Sequence, residues 1–255
     1  MSIESKKRIK FTLMKKYHFI LLALFALPFF LFNSTVDMKK KKILVFSKTA
    51  GYRHASIKQG KEALLKLGRE NHFDVDTTED STYFNSKTLS SYAAVVFLNT
   101  TGDVLNKKQQ EAFEQYIRSG KGFVGIHSAT DTEYGWPWFC KLVGANFASH
   151  PKPQKATLHV TDATHLSTKH LPQTWERFDE WYNFKNRNSD VKVLLTIDDK
   201  SYQGGTEPDH HSMSWYHEYD GGRSFYTALG HTEESYVEEN FMKHVLGGIR
   251  YAMGE

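Results

Sequence analysis

One cysteine, Cys140, in 255 residues leaves no internal disulfide, no thiolate metal cluster and no C-x-x-C redox pair. The six prolines gather into no Pro/Ser-rich stretch and no internal repeat is visible, so nothing marks an interdomain linker. Long apolar runs are also lacking: Phe19–Phe32 is the longest, short of the roughly 20 residues that span a bilayer as a helix, and Pro28 interrupts it. Basic charge is scarce outside the first 42 residues, which hold ten of the 33 Lys and Arg but only Glu4 and Asp37 of the 29 acidic residues. Residues 43–255 therefore carry 23 basic and 27 acidic side chains, and that balance offers no electrostatic footprint for nucleic acid.

What the N-terminus does have is the layout of an export signal. Lys15 and Lys16 precede the apolar Phe19–Phe32 run, the basic n-region and short h-region of a secretory segment. Residues 1–38 are read as this signal or as an uncleaved membrane anchor, since Phe32-Asn33-Ser34 fits the small-x-small cleavage pattern poorly. Met14 opens MKKYHF, so residues 1–13 are expected to precede the true start. A periplasmic or secreted location follows as the expectation. The remainder, 39–255, is read as one domain, large enough to bury its own core.

From Lys42 onward, short β-branched runs alternate with amphipathic stretches, the βαβ pattern of a doubly wound, mostly parallel sheet flanked by helices. Ile43–Ser47, Phe73–Val75, Ala93–Asn99 and Gly122–Ile126 read as strands, and Ile57–Glu70 and the stretch from Asn106 to Gly120 as helices. After about residue 155 the strands turn aromatic and polar: Ala156–Val160, Phe178–Phe184, Val191–Ile197, Met213–Tyr219 and Arg223–Leu229. These predict antiparallel strands added at the sheet edge, closed by a helix over Tyr236–Ala252.

Ligands bind at the carboxyl ends of strands in such sheets. The loops there carry Arg53 and His54, then Asn99 and Thr100, then His127 and Asp131. Gly125-Ile126-His127-Ser128-Ala129 has the small residues on either side that a nucleophile elbow requires, but with imidazole at its centre. Imidazole there can serve as acid, base or metal ligand. Further His and carboxylate residues gather at His150-Pro151, Asp179-Glu180-Trp181-Tyr182, Asp209-His210-His211 and Gly230-His231, without a regular ligand spacing such as H-E-x-x-H. Trp136, Trp138, Trp181, Tyr182, Trp215 and Tyr216 lie beside them. Aromatic faces next to carboxylates suit a sugar ring, and core packing accounts for them equally. Cys140 sits in an apolar helical stretch and reads as an inert buried thiol.

Taken in order, Gly51-Tyr52-Arg53-His54, Phe97 to Asp103, Gly125 to Asp131, Trp136-Pro137-Trp138, Val143 to Phe147, His150-Pro151, Asp179 to Phe184 and Gly221 to His231 resemble the trehalose-utilisation (ThuA-like) family over roughly residues 41–254. The resemblance implies a fold like that of class I glutamine amidotransferases, which is flavodoxin-like, and a role in carbohydrate breakdown associated with 3-keto disaccharides. Amidotransferases carry Cys at the elbow. His127 stands there instead and Cys140 lies elsewhere, which excludes glutamine hydrolysis. One departure is His211, which follows Asp209-His210 where the family pattern leads us to expect proline. It reads either as an extra ligand or as a replaced proline.

The expected function is an exported carbohydrate-active enzyme, a glycoside hydrolase or lyase that cleaves or rearranges a glycoside such as 3-keto-trehalose. His127, Asp179 and Glu180 are the expected acid/base residues. Arg53, His54, Asn99, Thr100, Asp131, Trp136 and Tyr182 are the expected substrate contacts. A divalent metal on His127, His150, Glu180 and His231 is the variant of the same chemistry. The rival from another class is a non-catalytic sugar-binding module that kept the cleft and lost the chemistry with the cysteine. The expected partner is a small carbohydrate; a membrane contact would run through the N-terminal segment, and the oligomeric state stays open.

Overall fold

β-branched and aromatic side chains suit a pleat covered on both faces, and the N-terminal half pairs accordingly. The computed structural model describes residues 40–207 and 210–255, so the expected export segment and Asp209 lie outside the described residues. Strands β1 (Lys42–Phe46), β2 (Asp74–Thr78), β3 (Ala94–Leu98) and β4 (Gly122–Ile126) alternate with α1 (Ile57–Glu70), α2 (Ser86–Leu89) and α3 (Lys107–Arg118). β3 and β4 are buried at every position, as an interior parallel strand requires. α3 starts where the sequence signals it, at a capping box: Asn106 accepts from the Gln109 backbone and Gln109 answers to the Asn106 N–H.

The second half adds α4 (Pro137–Val143), β5 (Asn146–Ser149), β6 (Gln154–Val160), β7 (Thr174–Asp179), β8 (Asn183–Lys185), β9 (Lys192–Ile197), β10 (Ser212–Tyr219), β11 (Gly222–Thr227) and α5 (Glu239–Met253). The main sheet runs β2-β1-β3-β4-β11-β10-β9-β6-β7, while β5 and β8 form a separate pair. Its first five strands are parallel to their neighbours, and the last four pair antiparallel. The mixed α/β architecture with antiparallel strands at one edge is the one the pattern predicts, except that β11, expected among those edge strands, lies mid-sheet and pairs parallel with β4.

Two boundaries differ from the sequence reading. The strand expected over Phe178–Phe184 is split: β7 stops at Asp179 and β8 begins at Asn183, leaving Glu180-Trp181-Tyr182 outside both sheets. Asp179 ends the strand by turning its carboxylate to backbone N–H groups of a neighbouring turn. The last helix begins at Glu239, after a short 3₁₀ turn at Glu234–Val237, rather than at Tyr236.

Fully buried rings of Phe97, Phe113, Phe123 and Phe139 fill the layer under α3 and α4, with centroids 5.3–5.6 Å apart. Burying one such side chain contributes about 1.5–3 kcal/mol. On the opposite face α5 packs so closely that a Cβ on Gly122 would lie 2.1 Å from the Ala252 carbonyl oxygen. No helix among the described residues is long and apolar enough to cross a membrane.

Strand direction decides where chemistry can gather. β4 and β11 are parallel, and two antiparallel steps from β11 to β9, then two more to β7, restore the same direction. The carboxyl ends of β1, β3, β4, β11 and β7 therefore open on one side of the sheet.

Candidate metal centre

His54 lies in the loop after β1, His127 follows β4, Glu180 follows β7 and His231 follows β11, each just past a carboxyl end on that common side. One ligand atom from each lies within 4.8 Å of the other three, a group that can hold a metal ion. His127 takes a left-handed backbone conformation, φ 51°, unusual for a residue with a β-carbon and costing on the order of 1–2 kcal/mol. Gly125 makes the bend fit, since a Cβ there would lie 2.9 Å from Tyr226 and 3.2 Å from Ala129. The elbow geometry expected from the sequence is thus present, with imidazole at its apex.

The hydrogen bonds fix which atoms face inward. His127 Nδ1 donates to the Ala228 carbonyl at 2.7 Å, so in the neutral ring Nε2 carries the lone pair. That Nε2 lies 3.4 Å from Glu180 Oε2 and 3.2 Å from His231 Nδ1, and His231 Nδ1 lies 3.1 Å from the same carboxylate oxygen. A lone pair and a carboxylate facing each other repel unless a cation, proton or metal, sits between them. Three imidazoles and one carboxylate are ligands of the kind that Zn²⁺ and neighbouring divalent ions take. Carbonyl acceptance at the far ring nitrogen, as at Ala228, is the usual means of orienting a metal-bound imidazole.

Charge and burial act in opposite directions across the group. Burial, reinforced by His127 and His231, pushes His54 down to about 2 and keeps it neutral. Burial works to raise Glu180, but hydrogen bonds to His127 and His231 hold its carboxyl well below the usual range. Burial works to lower His231, and the Glu180 hydrogen bond and charge more than offset it. Desolvation raises Asp131 at the cleft wall and sends the Tyr182 phenol far above its ordinary value.

His54, Glu180 and His231 line a cleft of about 360 Å³ walled also by Tyr52, Asp131, Phe147, His150, Pro153 and Tyr182, and His127 lies fully buried behind them. That volume falls in the range of small-ligand sites. Tyr182 lies 4.3 Å, centroid to centroid, from the His127 ring. His150 stands at the rim, 41% exposed, with Nδ1 3.0 Å from Glu180 Oε1.

The other expected site residues lie elsewhere. Asp179 is fully buried, and its oxygens accept from Gly230 N, His231 N, Glu180 N and Arg177. It anchors the turn that delivers His231 and has no oxygen left for acid/base work. Arg53 points away from the cleft to a bidentate pair with Glu79. Asn99 and Thr100 are buried, held by Ser56, Gly230 and Thr132. Trp136 packs on Phe139 and Trp138 and donates to Glu114, on the core side of α4. Cys140 is half-buried and accepts from Asn146 Nδ2 at 3.0 Å. Sequence reasoning took His54 for a substrate contact rather than a ligand. The signal was its place after β1, equivalent to that of His127 after β4.

A family model described as ThuA, trehalose utilisation, matches residues 42–252. No curated protein matches the chain. Among solved structures, a ThuA-like protein from Bacteroides uniformis is similar at 26% identity, over 83% of this chain and 91% of that one, with a TM-score of 0.71. A ThuA-like protein from Parabacteroides merdae shares 22% identity over 85% and 91% of the two chains, TM-score 0.69. PurLQS from Thermotoga maritima shares the fold alone, at 13% identity over 83% and 99%, TM-score 0.51. With its His127 elbow on a glutamine amidotransferase-like sheet and a match spanning the strands that deliver all four ligands, this chain belongs to the ThuA trehalose-utilisation family.

Proposed function

We propose that the protein is an exported, metal-dependent carbohydrate enzyme that opens a glycosidic bond in a 3-keto disaccharide such as 3-keto-trehalose. The observation carrying this reading is the convergence of His54, His127, Glu180 and His231, three of which line a sugar-sized cleft with His127 buried behind them. A bound divalent ion would supply Lewis-acid polarisation of the substrate's carbonyl oxygen. His54, His127 and His231 would hold it through ring nitrogens, and Glu180 would supply the carboxylate.

The 3-keto group acidifies the C2–H, so a single base starts the reaction. His150 is that base in this reading: its Nδ1 faces the Glu180 carboxylate and the Pro151 carbonyl, which leaves Nε2 as the basic nitrogen. It takes the C2 proton, the C1–C2 double bond forms, and the C1–O bond breaks with its electron pair going to the departing sugar oxygen. Returning a proton to that oxygen frees one monosaccharide, and adding water across the double bond yields the second as its 3-keto form. Tyr52 and Phe147 give the sugar's C–H faces apolar partners, while Asp131 takes a hydroxyl. Export rests on the Phe19–Phe32 run behind Lys15 and Lys16. Four potential ligand atoms in one place, three of them on buried residues, do not favour a module that kept only a sugar cleft.

The test is incubation of the protein with trehalose and with 3-keto-trehalose, with and without chelator, reading released monosaccharide by chromatography. Release from the keto sugar alone, lost on chelation and restored by Zn²⁺ or Mn²⁺, is expected. Release that survives chelation removes the metal from the reaction, and no release from either sugar overturns the reading.

A further inference from the structure

Glu180-Trp181-Tyr182 delivers both a ligand and the ring under His127, yet it belongs to neither sheet. Outside regular pairing, its position depends on side-chain bonds. Asp179 accepts from Glu180 N and Trp181 donates to the Gln154 carbonyl. The Tyr182 carbonyl takes its bond from a distant residue, His211, whose Nε2 lies 2.8 Å away.

His211 is buried and its other nitrogen, Nδ1, lies 2.6 Å from Asp199 Oδ1. Tyr202 Oη approaches Nδ1 at 3.2 Å, and Glu207 Oε1 lies 3.6 Å from Nε2. Both ring nitrogens thus face oxygens that can only accept, a backbone carbonyl and a carboxylate. Each nitrogen has its nearest partner in one of these acceptors, with the Tyr202 hydroxyl the further neighbour of Nδ1. Glu207 extends the brace two residues along the chain by accepting from Phe184 N at 2.8 Å. A proline at this position, the residue expected from the family pattern, could make neither bond.

We propose that His211 is a positioning residue: braced by Asp199, it holds the Tyr182 carbonyl, and so sets the Tyr182 ring against His127 and the Glu180 carboxylate within the ligand cluster. His211 touches neither substrate nor ligand atoms, and it works through the backbone of the segment that does. The inference rests on the metal-centre reading only where metal affinity is the readout.

The experiment therefore has two arms, on His211→Leu and on the milder Asp199→Asn, which keeps the ring and removes one charge. In the metal-free protein, the imidazole Hε1 resonance of His127, assigned by its loss in His127→Ala, reports the ring current of Tyr182. It is expected to move in both variants toward its position in Tyr182→Leu, with the His217 and His244 resonances unshifted as controls for the fold. In the second arm, titration of the same proteins with Co²⁺ is expected to show affinity about 10-fold or more below the unmodified protein, the usual effect of losing an outer-shell partner, with a changed visible spectrum. Should His211→Leu fail to fold, Asp199→Asn decides. A His127 resonance that stays in place in the folded variants overturns the proposal. If the unmodified protein binds no Co²⁺, the metal-centre reading fails and the resonance still decides the positioning role.

Discussion

At His127 the backbone is bent into the left-handed region so that an imidazole, rather than the thiol of an amidotransferase, joins the cluster behind the cleft. Its Nδ1 bond to the Ala228 carbonyl leaves Nε2 for whatever the cluster holds. His127→Ala is expected to leave the far-ultraviolet circular dichroism unchanged while turnover of the keto sugar falls below detection; unchanged turnover would sink the role of His127. Glu180→Gln keeps the shape and removes the only carboxylate of the ligand set, so calorimetric titration should show divalent-ion affinity lowered by about 10-fold or more. A histidine away from the cluster also contributes to acid sensitivity. His244 is fully buried on α5, donates from Nδ1 to the Ser167 carbonyl, and is pushed by burial down to about 3. The unfolded chain takes up a proton near 6.5, the folded chain only near 3, so this contribution is intact above pH 6.5 and is lost as pH falls through that window. With chelator present, urea unfolding between pH 6.5 and 4 should show the protein losing up to about 1.4 kcal/mol per pH unit more than His244→Gln. Parallel profiles for the two would show that His244 does not titrate in that way.

Among the elements, α3 and the β7–β8 connection represent two kinds of legibility. The capping box of α3 was readable because Asn106 and Gln109 act on their own helix, three residues apart. Asn106→Ala should lower the unfolding free energy by about 1 kcal/mol, and it should leave metal affinity untouched because α3 contributes no ligand. The break between β7 and β8 was not readable. Phe178-Asp179-Glu180-Trp181-Tyr182-Asn183-Phe184 mixes aromatic and polar residues as the neighbouring strands do, and its interruption depends on Asp179 finding Gly230 and His231, about fifty positions later. Asp179→Asn is expected to show this dependence: it keeps the size but weakens acceptance from two backbone N–H groups and from Arg177. Crystallography or the His231 resonance should report a displaced turn, and a turn unmoved would return Asp179 to the candidates for direct chemistry.

For the whole molecule, His54, His127, Glu180 and His231 come from four separate strand ends and meet only in the folded state, so a metal held by them would bind the folded chain and not the unfolded one. At a free concentration 100 times Kd, a divalent ion should stabilise the protein by about 2.7 kcal/mol, a rise in melting temperature of about 5–10 °C for a chain of this size. Chelator should reverse it, and Glu180→Gln should show little of it. A melting temperature indifferent to divalent ions would contradict a site assembled by the fold.

Periodicity, punctuation and charge act locally, and so the alternation of strands and helices, the antiparallel pairing of β10, β9, β6 and β7, the elbow at His127 and the lack of a cysteine there were legible from the residues alone, whereas the parallel pairing of β11 with β4 was not. Hydrophobic period and turn chemistry are properties of neighbouring residues, legible wherever burial follows them. Only the tertiary structure decided which polar residues meet. It gathered His54 with His127, Glu180 and His231, turned Arg53 outward to Glu79, sent Trp136 into the core and set His211 behind Tyr182. Those outcomes depend on strand order and direction, which place the carboxyl ends of β1, β4, β7 and β11 on one side of the sheet. The physical reason is that the separation of two side chains across a sheet is set by the pairing of strands between them, and no stretch of sequence near either residue carries that information.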